Sequence, residues 1–321
     1  MKHINYILST ACFLLAGMTS LPAAVDLGIV MARYSVVTFG DYRPRNEVEG
    51  SILTGGTLQN SQTIQAHVNG VLAVSEYSIA SYGGITGTNT IHVQQGSVLS
   101  RLSTTTPLNM NSGGSVQTGD RAWADFEMTL GGTMADLKSD FTNLSSRLAS
   151  MSPDGLFNAG DANRFTLSGS GQAISIINIT TAQLEAARGL ETSMNGSQIL
   201  VINVTGSTFN LDANFLGGST ANSAQVLFNF VNATDISFRN RVQGTVLAVG
   251  ANVAADKGGE GAFIVQSLSH GDEIHFRPLL AIPEPGTVAL LLTAVGMMFI
   301  IGRKRHRLTP LTTAIPAKTL V

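Results

Sequence analysis

The sequence is short of charge, of aromatic rings and of sulfur. Only 12% of its residues are charged, with 19 Lys and Arg set against 21 Asp and Glu. A chain this close to neutral has no basic surface with which to neutralise a phosphate backbone, so nucleic acid is excluded as a partner. The one cysteine, Cys12, lies in an apolar stretch near the start, which leaves the body without a disulfide or a thiolate metal site. Its core must therefore do the stabilising. Motifs of common enzymes are missing as well: there is no Gly-x-Ser-x-Gly elbow, no His-Glu-x-x-His helix and no Gly-x-x-x-x-Gly-Lys phosphate loop. The expectation is a protein that is not an enzyme and carries no cofactor. What is present, 34 glycines among many Ser, Thr and Asn, suits an extracellular β-rich protein.

Both ends of the chain read as targeting segments. Lys2 and His3 precede an apolar stretch from Tyr6 to Met18 and a small-residue exit at Leu21-Pro22-Ala23-Ala24, the pattern of a cleaved secretory leader over residues 1–23. At the other end Pro283-Glu284-Pro285 is followed by an uncharged run from Val288 to Ile301 and then by Arg303-Lys304-Arg305-His306-Arg307. As a helix over 287–302 this run covers between about 21 and 25 Å, against a hydrocarbon core of roughly 30 Å. The basic cluster holds the cytoplasmic side, which places everything before Pro283 outside the cytoplasm. Proline fixes its own backbone and extends its predecessor, so Glu284 is presented on an extended strip. Residues 308–321, with Pro310 and Pro316, read as a disordered cytoplasmic extension.

The Pro-Glu-Pro strip, short apolar helix and basic cluster together resemble the PEP-CTERM sorting signal of bacterial surface proteins. The resemblance implies that Pro283, Glu284, Pro285, Arg303, Lys304, Arg305 and Arg307 form a sorting signal, read by an exosortase-type membrane transpeptidase. It also implies a route: export, a stay in the inner membrane, then delivery to the envelope or extracellular matrix of a Gram-negative bacterium.

Between the ends, residues 24–282 read as one β-rich domain. Short apolar or β-branched clusters separated by glycine predict strands at Tyr34 to Phe39, Gly50 to Leu53, Val71 to Val74, Ile91 to Val93 and Ser97 to Leu102. From Asp120 to Met151 the pattern changes. Trp123, Phe126, Leu130, Met134, Leu137, Phe141, Leu144, Leu148 and Met151 recur every three or four residues and make one helical face. Gly131-Gly132 predicts a kink or a break, Asp120 a start cap, and Ser152-Pro153 the end. Strands return at Phe165 to Leu167, Ile174 to Ile179, Ile199 to Val204, Val226 to Val231, Ile236 to Phe238, Val242 to Val249 and Ala262 to Leu268. A short helix near Thr181 to Gly189 is announced by the capping-box spacing of Thr180 and Gln183.

The same order of parts resembles the choice-of-anchor A domain of exported bacterial proteins. The matching stretches are Leu27 to Tyr42, Val48-Glu49-Gly50 with Gly55-Gly56, Ile202 to Gly206, Leu227 to Phe230 with Ala233-Thr234, and Val242 to Ala248. Ala248-Val249-Gly250-Ala251 departs from that family, which places a proline after Leu-Ala. The order is also similar to that of bacterial ice-binding proteins, which implies a β-solenoid with one long amphipathic helix packed alongside. A β-sandwich with an inserted helix stays open, because no fixed repeat period is visible.

Candidate chemistry is sparse. His270, Asp272, Glu273 and His275 could serve a metal or proton transfer, or could be a polar final strand. Asp154, Asn158, Asp161 and Asn163 could ligate calcium, or simply make turns. Asn-x-Ser/Thr triplets begin at Asn143, Asn178, Asn195, Asn203 and Asn232 and read as composition. The three adjacent threonines at 104–106 point to alternating sides and make no ice-binding face. The resulting expectation is an adhesion or structural module that engages exopolysaccharide or matrix, with a polysaccharide hydrolase or lyase, or a ligand- or ice-binding surface protein, as alternatives.

Overall fold

The computed structural model describes residues 25–62, 64–67, 76–111 and 113–279. The leader, the strip at Pro283, Glu284 and Pro285, the 287–302 helix, the cluster at Arg303, Lys304, Arg305 and Arg307, and the 308–321 extension lie outside them. So does the strand expected at Val71 to Val74. Among the described residues no helix is long and apolar enough to cross a membrane.

The fold is mainly β, built from parallel sheets. One row of ten strands runs, in spatial order, Val116–Thr118, Ser97–Ser100, Tyr77–Ser81, Ser51–Thr54, Tyr34–Thr38, Phe263–His270, Thr245–Ala255, Val226–Phe230, Ile199–Thr205 and Ile174–Thr180. A second row runs Leu108–Met110, Ile91–Val93, Ile64–His67, Val48–Glu49, Ile274–His275, Gly259–Glu260 and Val242–Gln243. A third row joins Ile85–Gly87, Leu58–Asn60 and Tyr42–Arg43 to the distal halves of Phe263–His270 and Thr245–Ala255, then to Asp235–Phe238 and Thr208–Leu211. The chain visits the rows in turn and lays each new strand beside its predecessor. The ladder between Leu156–Asn158 and Phe165–Ser168 is the one antiparallel pairing among the described strands. A sandwich of antiparallel sheets would pair its strands in the opposite sense.

Winding is not continuous. From Tyr34 the chain stacks outward to Val116–Thr118, crosses to the far end, and stacks back from Ile174 to Ile274, so that Phe263–His270 closes against Tyr34–Thr38 in the middle. The crossing is made by helices α2 (Asp120–Leu130) and α3 (Met134–Ser150), preceded in the chain by helix α1 (Leu27–Arg33). With 11 and 17 residues, α2 and α3 together rise about 42 Å, while ten strands at roughly 4.8 Å spacing span about 43 Å. The helix pair is as long as the row it must cross.

The break in the helix falls where the sequence places it. Gly131 takes the left-handed conformation, φ 83°, that ends α2 and that a side chain would resist. Thr133 and Asp136 then form a reciprocal capping box that restarts the helix as α3. Asp120, expected as the start cap of α2, is its first helical residue instead. Gly119 holds the cap position without a side-chain bond, and Asp120 pairs with Arg101 at 2.8 Å. Helix α1 lies in a region read as strands; Asp26 accepts the Ile29 N–H at 3.1 Å to cap it. The expected short helix forms over Thr181–Glu185 as α4, with the Thr180–Gln183 box complete.

Inner strands of the first row, such as Tyr34–Thr38, Ser51–Thr54 and Val226–Phe230, are buried on both faces, while the edge strand Val116–Thr118 is exposed. Leu200, Ile202 and Val204 point into the common core with Val226, Phe228 and Phe230, while Asn203 and Asn229 on the opposite face meet α3. Asn229 Nδ2 donates to Asn203 Oδ1 at 2.8 Å and to the Ser145 carbonyl at 2.9 Å, and Ser145 Oγ donates to Asn229 Oδ1 at 2.6 Å. Asn203 Nδ2 continues the ladder to Asn178 Oδ1 at 2.9 Å and reaches the Leu148 carbonyl at 3.0 Å. Asn203, one of the Asn-x-Ser/Thr asparagines, thus joins Asn229 in stitching a helix to a sheet. At the corner between first and third rows Gly40, Gly56 and Gly83 stack; a β-carbon on Gly83 would stand 2.5 Å from the Gly56 carbonyl carbon.

Candidate binding face

The third row carries an outward polar surface. Along Thr208–Leu211, Asp235–Phe238 and Asn252–Ala255, buried Phe209, Ile236 and Val253 alternate with solvent-facing residues, the signature of a sheet with one wet face. Register aligns those outward residues across the row. One rank is Thr208, Asp235, Asn252 and Ser267; the next is Asn210, Ser237, Ala254, Ser269 and Arg43. Neighbours within a rank stand about 4.8 Å apart and the ranks about 6.7 Å apart, which makes a regular mesh of mostly short polar groups, interrupted by Ala254 and edged by Arg43. The mesh floors a groove of about 720 Å³ whose lining also includes Asp41 and Glu185.

These side chains hold one another in place. Ser267 Oγ donates to Asn252 Oδ1 at 2.7 Å, Arg43 Nε to Gln59 Oε1 at 2.8 Å, and Gln59 Nε2 to Asp41 Oδ2 at 2.8 Å. Glu185, from α4, accepts the Asn210 backbone N–H at 2.6 Å. A surface ordered before its ligand arrives loses less entropy on binding. The groove lining carries three carboxylates, Asp41, Glu185 and Asp235, against one guanidinium, Arg43. Its excess of negative charge disfavours anionic polymers.

The cluster singled out near the end of the domain is dispersed by the fold. His270 lies at the end of the strand Phe263–His270 rather than in the turn after it, and is buried. Its Nδ1 is 2.6 Å from the Asp272 carbonyl, an acceptor only, so Nδ1 carries the hydrogen and Nε2 accepts the Tyr42 O–H at 2.8 Å. Burial holds the imidazole down at about 4 and pushes the Tyr42 phenol well above its ordinary value. Asp272 turns to Arg241 at 3.4 Å, and its carboxyl is held low chiefly by the Glu273 backbone N–H. His275, in the second row, sits between Glu49 at 3.2 Å and Glu273 at 3.4 Å, with Glu260 at 3.9 Å. Among the described residues no group of His, Cys, Asp or Glu is arranged to hold a metal ion.

The calcium candidates are committed to backbone. Asp154 accepts the Ile176 N–H at 2.7 Å, which holds its carboxyl below the usual range, Asn158 accepts Gly160 N–H at 2.9 Å and Asp161 accepts Asn163 N–H at 2.9 Å. They make turns. Thr104, Thr105 and Thr106 alternate between half-buried, exposed and buried positions, as adjacent residues on opposite sides do. The groove residues were not singled out in the sequence. The alternation in Thr208-Phe209-Asn210-Leu211 and Asp235-Ile236-Ser237-Phe238 was the available signal, whereas the register that aligns them was not visible.

Parallel strands stacked in rows, with a preordered polar groove on one outer face, define a binding module on a rigid scaffold. The chain belongs to the family described as "Putative Ice-binding-like adhesive domain", whose model matches residues 28–276. That membership gives it the character of a surface adhesion or ice-binding protein. Searches among curated proteins and among solved structures return no match.

Proposed function

We propose that this chain is an exported adhesion module that binds a neutral, hydroxyl-rich polymer of the matrix along the groove of the third row. The single observation carrying the proposal is the mesh of Thr208, Asp235, Asn252 and Ser267 beside Asn210, Ser237, Ala254, Ser269 and Arg43. A polymer strand presents hydroxyls at short regular intervals, and a regular mesh of small donors and acceptors meets them without rearrangement. Ice calls for a flat, charge-free face, and the groove has Asp41, Arg43, Glu185 and Asp235 in its wall. Hydrolysis calls for a carboxylate able to give up a proton; both oxygens of Asp41 are occupied, by Thr57 N–H at 3.0 Å and Gln59, Glu185 holds Asn210, and Asp235 accepts the Thr234 hydroxyl at 2.9 Å. These engagements favour binding over turnover.

The scaffold reading that goes with this function is a β-solenoid interrupted in its middle, with α2 and α3 strapped along it. The tail completes the account. Pro283, Glu284 and Pro285 would be read by an exosortase-type enzyme, Val288 to Ile301 would hold the chain in the membrane meanwhile, and Arg303 to Arg307 would be the stop. Replacing Pro283 and Pro285 with alanine and following mass and location in the host tests this part; unchanged processing contradicts it. The ligand class is tested by gel affinity electrophoresis of the domain in amylose, soluble cellulose derivatives and alginate, beside an ice-recrystallisation assay. Retardation by a neutral polymer, insensitive to salt, is the expected result. Activity on ice alone contradicts the proposal.

A further inference from the structure

The two ends of the first row are finished differently. At one end Ile174–Thr180 is capped at its centre: the Ile176 N–H donates to Asp154 Oδ1 at 2.7 Å, and the Ile176 carbonyl accepts the Asp154 and Gly155 N–H groups at 3.0 and 2.9 Å. The Asp154 carboxylate also puts a charge on that edge, which keeps a second strand away. At the other end Val116–Thr118 has one neighbour among the described strands, Ser97–Ser100, and all three of its residues are exposed. None of them lines the groove.

The register fixes which backbone groups lie on the bare edge. The Ser115 carbonyl accepts the Val98 N–H at 2.9 Å, and the Gly119 N–H donates to the Ser100 carbonyl at 3.3 Å. In a parallel ladder alternate residues turn to the same neighbour, so Ser115, Gln117 and Gly119 bond inward while the N–H and C=O groups of Val116 and Thr118 face out. Proteins blunt such an edge with charge, with proline or with a covering segment. Here the last coil, from Leu102 to Gly119, contains no Asp, Glu, Lys, Arg or His. The charges on either side of it, Arg101 and Asp120, pair with each other at 2.8 Å. Its one proline, Pro107, precedes the second-row strand Leu108–Met110 and leaves the first-row edge untouched. Leu102 and Val116 add apolar surface, being 48% and 43% exposed.

We propose that Val116–Thr118 pairs edge to edge with the same strand of a second copy of this chain, across a two-fold axis at Gln117. A two-fold sets each residue near its own copy, which a charged edge opposes and a neutral one permits. Head-to-tail stacking is closed off because the opposite edge is capped, so the pairing stops at a dimer. Antiparallel pairing about Gln117 lets Val116 of each copy exchange N–H···O bonds with Thr118 of the other, using the groups that face out. Gln117 then meets Gln117 in the wide-spaced position, with α-carbons about 4.5 Å apart.

The test is sedimentation of the full chain in mild detergent over a concentration series, with the parent, Gln117→Lys and Gln117→Glu. The parent is expected to show a reversible monomer–dimer equilibrium. Each variant is expected to weaken it at least tenfold while melting as the parent does, and an equimolar mixture of the two to restore it. Tyr77 O–H donates to Gln117 Oε1 at 2.7 Å, a bond that Gln117→Glu can keep, so the pair of variants separates added charge from loss of that bond. Gln117→Cys, with Cys12→Ser, is expected to form a disulfide-linked dimer on oxidation, because the paired α-carbons stand within disulfide reach. A parent that stays monomeric at every concentration, a dimer indifferent to both charges, or a Gln117→Cys chain that does not cross-link overturns the proposal. The first of these is the outcome if another segment of the same chain covers the edge.

Discussion

Single residues hold this fold together through polar bonds as much as through apolar contact. Asn229 is fully buried and bonds Asn203 and Ser145 at once, so Asn229→Ala strands a carbonyl, a hydroxyl and an amide oxygen together. Thermal or urea unfolding should show a loss of about 2–4 kcal/mol. Asn178→Ala, at the exposed end of the ladder, should cost under about 1 kcal/mol. A loss of similar size at both positions would contradict the ladder. His270 makes a second residue-scale prediction. Above its unfolded value, near 6.5, the ring is neutral in both states; between about 6.5 and 4 the unfolded chain takes up a proton that the folded chain refuses. Stability should therefore fall as pH falls through that window, by up to about 3 kcal/mol, and not fall further on this account below 4. Neighbouring Tyr42 stays protonated throughout, and Asp272, paired with Arg241, keeps its charge over most of the window. His270→Gln should flatten the pH 4 to 6.5 profile measured by urea titration; an unchanged slope would contradict the assignment.

At the scale of elements, the helix pair was the most legible part of the sequence. Nine apolar residues at helical spacing, a Gly-Gly break and the Thr180–Gln183 box all depend on neighbours within a few positions, and the structure places each where the pattern does. Of the nine, Trp123, Phe126, Leu137, Phe141, Leu144 and Leu148 are buried. Phe141→Ala should cost about 3–5 kcal/mol and Thr133→Ala, which removes the capping box, about 1 kcal/mol, both read by chemical unfolding. Equal effects would mean that α3 is held by its own propensity rather than by packing on the sheet. Less legible was α1, whose seven residues, Leu27–Arg33, are too few to show a period and run straight into a strand. Most first-row strands were visible, though Tyr77–Ser81 and Val116–Thr118 were not, and the partners were not visible. Successive first-row strands begin at Ile174, Ile199, Val226, Thr245 and Phe263, spacings of 25, 27, 19 and 18 residues, so turn lengths hide the repeat that the ladders keep.

The whole molecule is closed by a contact that no local pattern could announce. Val36, Val37 and Thr38 pair with Phe263, Ile264 and Val265, joining the two stacks in the middle of the row. The groove depends on that closure, because Arg43 and Asp41 come from one stack and Thr208 to Ser269 from the other. This, with the unforeseen strands Thr208–Leu211 and Tyr42–Arg43 and the distal half of Thr245–Ala255, explains why the groove was missed in the sequence, where only the strands at Ile236 to Phe238 and Ala262 to Leu268 were seen. A molecule closed this way should unfold in one transition despite its discontinuous winding, and fold slowly for its size because its closing pairs are so far apart in the chain. Calorimetry should give one peak; two well-separated peaks would show that the stacks are independent.

The central claim is that adhesion resides in the third-row groove. The most direct measurement compares polymer retardation of the double variant Ser237→Arg and Asn252→Arg with that of Asn109→Arg, an exposed position in the second row. The account predicts at least a tenfold loss of affinity for neutral polymer in the groove variant and none in the second-row variant, with both melting as the parent does. Retained binding in the groove variant, or loss in the second-row variant, would contradict it.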